Sequence, residues 1–253
     1  MAWLKQQDVF DADSIGNQLI GIAADMGMHD SGWHQHQMGQ FLFTQGGCIT
    51  IRLNDRLCLL PPTRLAWIPP CTPHRAIMTE TVDYRSVYID LALHSNLPEQ
   101  VEVMTVTPLL RAVLERIAVA DFNTDWSKGA KANILAVCLD EVAVAQREPM
   151  LLPLPSDRRL SGLDMDELPP PLHELAQKAG ASEKTILRIF RKETGMTYQQ
   201  WRQQWRLLKA IELLASGETI TAVAFELEFA SDSAFIAFFK KMTGYTPRVF
   251  MRF

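Results

Sequence analysis

The chain has 253 residues, 47% of them apolar and 21% charged, a balance that suits one or two globular domains and excludes a disordered or low-complexity chain. Its net charge of −4 hides a division: residues 172–253 hold 12 Lys and Arg against 8 Asp and Glu, and residues 1–171 hold 13 against 21. No apolar run approaches the roughly 20 residues that span a bilayer, and the opening Met1-Ala-Trp-Leu-Lys-Gln-Gln-Asp lacks the basic start and apolar core of a secretory signal, which predicts a cytoplasmic protein with no membrane partner. From the start of the chain to about residue 105, short runs rich in β-branched and aromatic residues read as strands: Gln40-Phe-Leu-Phe-Thr, Cys48-Ile-Thr-Ile-Arg-Leu, Leu65-Ala-Trp-Ile and Tyr84-Arg-Ser-Val-Tyr-Ile-Asp. Gly-Gly, Asn-Asp and Pro-Pro turns separate them, and strands at this spacing predict a small barrel or sandwich. Two helices follow, near 108–121 and 127–146. Leu109, Leu110, Val113, Leu114 and Ile117 share one face of the first, and Ile134, Leu135, Cys138, Leu139 and Val142 one face of the second. Residues 148–171 read as a linker, with prolines at 149, 153, 155 and 169 to 171; three consecutive prolines cannot lie within a helix. The cysteines at 48, 58, 71 and 138 form no C-x-x-C pair and signal neither a disulfide framework nor a zinc knuckle.

The last stretch contains an internal repeat. Its first copy runs from Leu172 to Gly195 and its second from Ile220 to Gly244. Ala176 matches Ala224 at an offset of 48, while Phe190-Arg-Lys-Glu-Thr-Gly matches Phe239-Lys-Lys-Met-Thr-Gly at 49, so the second turn carries one inserted residue. Each copy has the parts of a helix-turn-helix. Leu172, Leu175, Ala176 and Ala179 form the inner face of a short helix that stops at Gly180, and Ser182 is placed to N-cap a second helix. That helix buries Ile186, Ile189 and Phe190 and turns Lys184, Leu187, Arg188 and Arg191 outward, with Lys192 beside them. Long cationic side chains on such a helix can donate to guanine edges or phosphates in the major groove. A single copy could equally be a helical hairpin with a solvated basic face; two copies favour the DNA reading. Between the copies, Thr197-Tyr-Gln-Gln is a capping box opening a helix of roughly 18 residues, about 27 Å long, which ends before Gly217. A strut of that length can hold two recognition helices near the roughly 34 Å repeat of DNA.

These residues carry a resemblance. Segment 172–253 is similar to the DNA-binding domain of the arabinose-regulator (AraC/XylS) family through L-x-x-L-A-x-x-A-G-x-S-x-x-T-I-x-R-x-F-R-x-E-T-G-M-T, then W-R, R-L and A-x-x-L-L-x-x-G, then S-A-F-x-x-x-F-K-K-x-x-G-x-T-P. The resemblance implies a seven-helix module binding promoter DNA, with recognition helices over Ser182–Glu193 and Ser231–Lys241. It places Lys184, Leu187 and Arg188 toward bases in the first groove, Arg191 and Lys192 nearer phosphates, and Ser182 and Thr185 at the helix start. Ser233, Ile236, Ala237 and Lys240, with Ser231 and Lys241, hold the matching places in the second groove. The chain departs from the pattern at Glu228, where the family has glycine, which predicts a strained turn or an altered cap. Its second reading face is also short of charge, so specificity is expected to rest on the first unit, and the prolines at 169 to 171 predict a short or displaced first helix.

The acidic half has its own constellation. Trp33-His34-Gln35-His36 leads through Gln40 to Gly46, and Trp67-Ile-Pro-Pro-Cys-Thr-Pro-His74 follows. On a strand His34 and His36 point to one side, and a barrel can bring His74 to them. This resembles the cupin pattern H-x-H-x3-E-x5-G followed by P-x-x-x-P-H, found in the sensor half of a subgroup of the same family, with Gln40 in place of the metal-binding glutamate. Three readings stand: a divalent transition metal, an organic effector, or histidines that only pack. The resemblance also implies that the helices after the barrel mediate a homodimer, and RNA polymerase is a candidate partner. A metal-dependent cupin dioxygenase or isomerase using His34, His36 and His74 would leave the repeat unexplained and lacks the carboxylate ligand, so the chain is not read as an enzyme. The expected fold class is α+β. A cupin-like, effector-sensing and dimerising barrel with flanking helices occupies 1–147, a linker 148–171, and an all-α DNA-binding domain of two helix-turn-helix subdomains 172–253.

Overall fold

The computed structural model describes residues 3–5, 8, 10–92, 97–148, 150–165 and 167–252. Pro149 and Phe253, read above as part of the linker and the end of the DNA-binding domain, lie outside the described residues, as do Met1, Ala2, Gln6 and Gln7 of the opening segment. The chain divides into two units, one of residues 1–52 with 59–150, the other of 53–58 with 151–252.

The strands of the N-terminal part of the chain are β1 (Trp3–Leu4), β2 (Leu19–Met26), β3 (His29–Asp30), β4 (Gly39–Thr44), β5 (Ile49–Leu53), β6 (Arg56–Leu60), β7 (Arg64–Ile68), β8 (His74–Met78), β9 (Val82–Ile89) and β10 (Glu102–Thr105), of which β6 begins in the second unit. One sheet has the order β1-β2-β9-β4-β7-β10, and the other runs β6-β5-β8-β3. The helices α1 (Pro108–Ala118) and α2 (Gly129–Val144) follow. Side-chain alternation divides the first sheet into two faces with different tasks. Phe41, Phe43, Leu65, Trp67, Val87 and Ile89 form one core with Leu110, Leu114 and Ile117 of α1 and Leu135, Cys138 and Val142 of α2. Each fully buried leucine there contributes roughly 1.5–3 kcal/mol. The alternate residues, Gln40 and Leu42 on β4 and Tyr84 and Tyr88 on β9, line a cavity inside the barrel.

Two details fix how the helices meet the sheet. Thr107 caps α1 by accepting from the Leu110 N–H at 3.0 Å, with Pro108 in the first turn. On β2, a Cβ at Gly21 would lie 2.1 Å from the carbonyl oxygen of Ile117, so only glycine lets α1 approach that strand.

In the second unit, β11 (Leu151–Pro153) pairs antiparallel with Arg56–Cys58, and a 3-10 turn at Arg158–Leu160 precedes α3 (Leu172–Lys178), α4 (Glu183–Thr194), α5 (Tyr198–Ala215), α6 (Ile220–Glu226), α7 (Asp232–Thr243) and α8 (Pro247–Phe250). Among the described residues the segment from Leu172 thus holds six α-helices, not the seven implied by the resemblance. Before it, Arg158–Leu160 forms a 3-10 turn, and the prolines at 169 to 171 bar a helix from running into α3. Part of the stretch read as a linker is seated along α5, at Pro153, Met165, Pro169 and Pro170. Trp201 and Trp205 donate their indole N–H groups to the carbonyls of Pro153 (2.7 Å) and Met165 (3.0 Å), and Tyr198 and Arg202 donate to those of Pro170 and Pro169. Both parts of the capping box at Thr197 and Gln200 are made, as the sequence predicts.

Candidate DNA-binding surface and effector cavity

The two helix pairs of the second unit are built alike. After α3 the chain turns through Gly180 at φ +58°, with Ala181 N–H donating to the Ala176 carbonyl (3.0 Å) and Gly180 N–H to that of Gln177 (3.1 Å). After α6 it turns through Glu228 at φ +56°, with Phe229 N–H donating to Ala224 (2.8 Å) and Glu228 N–H to Phe225 (3.0 Å). Both ends therefore close with the paired bonds of a left-handed helix stop. Arg206, the arginine of the R-L pair in the family pattern, secures the second turn: its guanidinium donates to the carbonyls of Leu227 and Glu228 and stacks 4.6 Å from the Phe229 ring centre. Its burial lowers its pKa from the ordinary arginine value.

Ser182 caps α4, accepting from the Thr185 N–H at 3.3 Å, and its hydroxyl lies 3.0 Å from that of Thr185. Thr185 is only half-exposed and its hydroxyl is engaged in this cap. Ile186, Ile189 and Phe190 are buried, and the Phe190 ring packs 4.9 Å from Tyr198 and 5.2 Å from Trp201. Lys184, Leu187, Arg188, Arg191 and Lys192 are exposed on the outside of the helix. Ser231 caps α7, accepting from the Ala234 N–H at 3.2 Å, and Phe235 and Phe239 are buried beneath it. Ser233, Ala237, Lys240 and Lys241 are exposed and Ile236 is half-buried. The structure thus turns two matching faces outward, the first with four long cations and the second with two, both at its C-terminal end.

In the barrel, β8 and the strand-like stretch at His34 are joined by reciprocal backbone bonds, His34 N–H to His74 O at 3.0 Å and His74 N–H to His34 O at 2.9 Å. The imidazole centres of His34 and His74 are 4.3 Å apart, those of His36 and His74 5.2 Å. Each ring sets its Nδ1 against a backbone carbonyl: Gly32 for His34, Met38 for His36, Thr72 for His74. A carbonyl only accepts, so Nδ1 carries the proton in each. Burial, above all, pushes the pKa of His74 down to about 4, keeping it neutral. His36 Nε2 lies 3.2 Å from the Gln40 amide, whose other end meets Ser86 Oγ (2.9 Å), Tyr88 OH (3.0 Å) and Tyr84 OH (3.3 Å). The Gln40 amide oxygen faces His36 Nε2, and its nitrogen donates to the three hydroxyls. Burial raises the pKa of both tyrosines and keeps them as phenols.

His34, Gln40 and His74 line a cavity of about 360 Å³ with Tyr84, Tyr88, Ile22, Met26 and Met78, while His36 stands behind it. Among the described residues no group of three His, Cys, Asp or Glu side chains stands so as to hold a metal ion. Gln40 supplies an amide where the cupin pattern has a carboxylate, and that amide occupies His36 Nε2. The donor set of His34, His36, Gln40 and His74 therefore does not fit the metal that the resemblance allowed. Tyr84, Ser86 and Tyr88 escaped the sequence reading, although their spacing of two on a strand with Val87 and Ile89 on its other face was the available signal.

Residues 17–135 match the family described as an AraC-like ligand binding domain, and residues 175–252 match a helix-turn-helix domain family. The HTH-type transcriptional regulator NimR of Escherichia coli strain K12 is 30% identical over 219 residues, covering 85% of this chain and 80% of that protein. The HTH-type transcriptional regulator YobQ of Bacillus subtilis strain 168 is 24% identical and covers 86% of this chain and 87% of its own. A crystal form of ToxT from Vibrio cholerae aligns over 93% of this chain and 98% of its own, at 11% identity and a TM-score of 0.36. The chain belongs to the AraC family of transcriptional regulators, with an N-terminal ligand-binding domain and a C-terminal helix-turn-helix DNA-binding domain. Among the described residues no helix is long and apolar enough to cross a membrane.

Proposed function

We propose that this regulator binds promoter DNA in a sequence-specific manner in the cytoplasm, that α4 carries most of the base reading, and that a small organic molecule in the barrel cavity is its effector. The single observation behind the DNA reading is the pair of matched outward faces, with Lys184, Arg188 and Lys192 in no ion pair among the described residues and so available to phosphates and bases. The cavity supports the effector: at about 360 Å³ it falls in the range of small-molecule sites, with apolar walls and a few converging uncharged polar groups. We further assign a homodimer to the outward face of α2, where Ala136, Val137 and Val144 are exposed, Val144 at 79%. Mobility shift of the full chain on its own upstream region, across a salt series, tests the DNA reading. Affinity should fall with a log–log slope of about −0.9 per neutralised phosphate. No retardation at low salt would overturn it.

A further inference from the structure

The positions of α7 stand at an offset of 49 from those of α4, and the exchange of side chains between them is systematic: Lys184 becomes Ser233, Leu187 becomes Ile236, Arg188 becomes Ala237, and Arg191 becomes Lys240. Hydrogen-bond readout in the major groove depends on side chains long enough to reach two base-edge atoms at once. At the three base-facing positions of α7 only the short Ser233 hydroxyl can form a hydrogen bond. Ile236 and Ala237 give an apolar ridge between it and the two lysines at 240 and 241.

We propose that α7 reads its half-site through thymine methyl groups, packed against Ile236 and Ala237, while Lys240 and Lys241 hold the backbone. The proposal rests on the reading of α7 as a recognition helix and specifies what that helix recognises. The thymine C5-methyl is the apolar feature of the major-groove edge, so it is the partner that an apolar ridge selects. Against cytosine or guanine, the same ridge would strip water from amino or carbonyl groups and return no hydrogen bond. Ile236 suits the task because a β-branched side chain in a helix is confined almost to one rotamer and loses little freedom on contact. The helix that carries it is held at both ends, by the Ser231 cap and by Gly244 at φ +82°, and below by Phe235 and Phe239. Ala237 adds little bulk of its own, which lets the helix backbone come close to the base edges.

The test uses the full chain and duplexes that it selects from a random library. The half-site whose selected bases relax in Arg188→Ala is assigned to α4, and the other to α7. Each thymine of the α7 half-site is then replaced by deoxyuridine, which removes only the methyl, and each guanine by 7-deazaguanine, which removes a hydrogen-bond acceptor. The expected result is about a fourfold loss of affinity per contacted thymine, the value of one buried methyl-sized group. 7-Deazaguanine should leave this half-site unaffected, and in Ile236→Ala the deoxyuridine loss should shrink. If wild type binds the deoxyuridine duplexes as it binds thymine, or if 7-deazaguanine weakens the α7 half-site instead, the methyl reading is overturned while DNA binding stands. Selection of no sequence at all would overturn the DNA reading and this proposal together.

Discussion

Gly180 and Glu228 occupy the same position in the two helix pairs and the same backbone conformation, at φ +58° and +56°. Glycine reaches that region freely, but a residue with a Cβ is strained there by about 1–2 kcal/mol. The second turn is retained because Arg206 ties the carbonyls of Leu227 and Glu228 to α5. Glu228→Gly should therefore stabilise the second unit by about 1 kcal/mol, read as a rise in melting temperature of roughly 4–8 °C for a unit of this size. Gly180→Ala should lower it by a similar amount. The Arg202–Glu228 ion pair, at 3.9 Å with its carboxylate exposed, is too weak to reverse the sign.

The contrast between α4 and α7 predicts an unequal response to substitution. Arg188→Ala should cost on the order of 1–3 kcal/mol on a selected site and relax base preference at one position, whereas Lys192→Ala should weaken binding to all sequences alike and reduce the salt slope by about 1. Fluorescence anisotropy at two salt concentrations separates them. Wild-type affinity in Arg188→Ala, together with complete loss in Ala237→Arg, would show that the asymmetry runs the other way.

His74 makes the barrel sensitive to acid. Its pKa is pushed down to about 4, against an ordinary 6.5, because burial disfavours the imidazolium. Between those values the unfolded chain takes up a proton that the folded barrel refuses. The stability due to neutral His74 is thus complete above pH 6.5 and drains away as the pH falls toward 4. The expected loss between pH 7 and pH 5 is about 2 kcal/mol. Urea titrations at the two pH values should show it, and the difference should be smaller in His74→Asn.

Gly21 is a point of close approach between β2 and α1. Its missing Cβ would fall 2.1 Å from a backbone oxygen, an atom that cannot swing aside as a side-chain tip can. Gly21→Ala should destabilise the barrel by about 1–3 kcal/mol by driving α1 off β2. Thermal unfolding monitored in the first unit tests this, and a wild-type melting temperature would contradict the packing described.

The Gln40 amide predicts a barrel without tightly held metal. Elemental analysis of purified protein should find well below one equivalent of zinc, nickel, iron or copper, with no change in His36→Ala. One equivalent that disappears in His36→Ala would restore the metal reading.

The legible parts of the molecule were those with a local pattern. The repeat announced itself through matched residues at fixed offsets, and the faces of α4 and α7 followed from which positions had to be buried. Strands β4, β5, β7 and β9 were found because β-branched and aromatic residues cluster in them. Strand β2 was not, since Leu19–Ala24 is buried throughout and contains glycine and alanine, which leaves neither alternation nor strong β preference to detect. The polar floor of the cavity was half visible. His34, His36, Gln40 and His74 fell into a known spacing, but the closure of Gln40 by Tyr84, Ser86 and Tyr88 depends on strand pairing, Gln40 lying opposite Tyr88 in the register. The seating of Pro153, Met165, Pro169 and Pro170 on α5 also escaped, because it rests on single long-range donors with no periodicity of their own.

That seating decides where a working fragment of the regulator can begin. A clone opened at Leu172, the first residue of α3, would leave the indole nitrogens of Trp201 and Trp205, the Tyr198 hydroxyl and the Arg202 guanidinium facing empty space, and would bare the aromatic side of the rod. A clone opened at Leu151 keeps the strap that covers them.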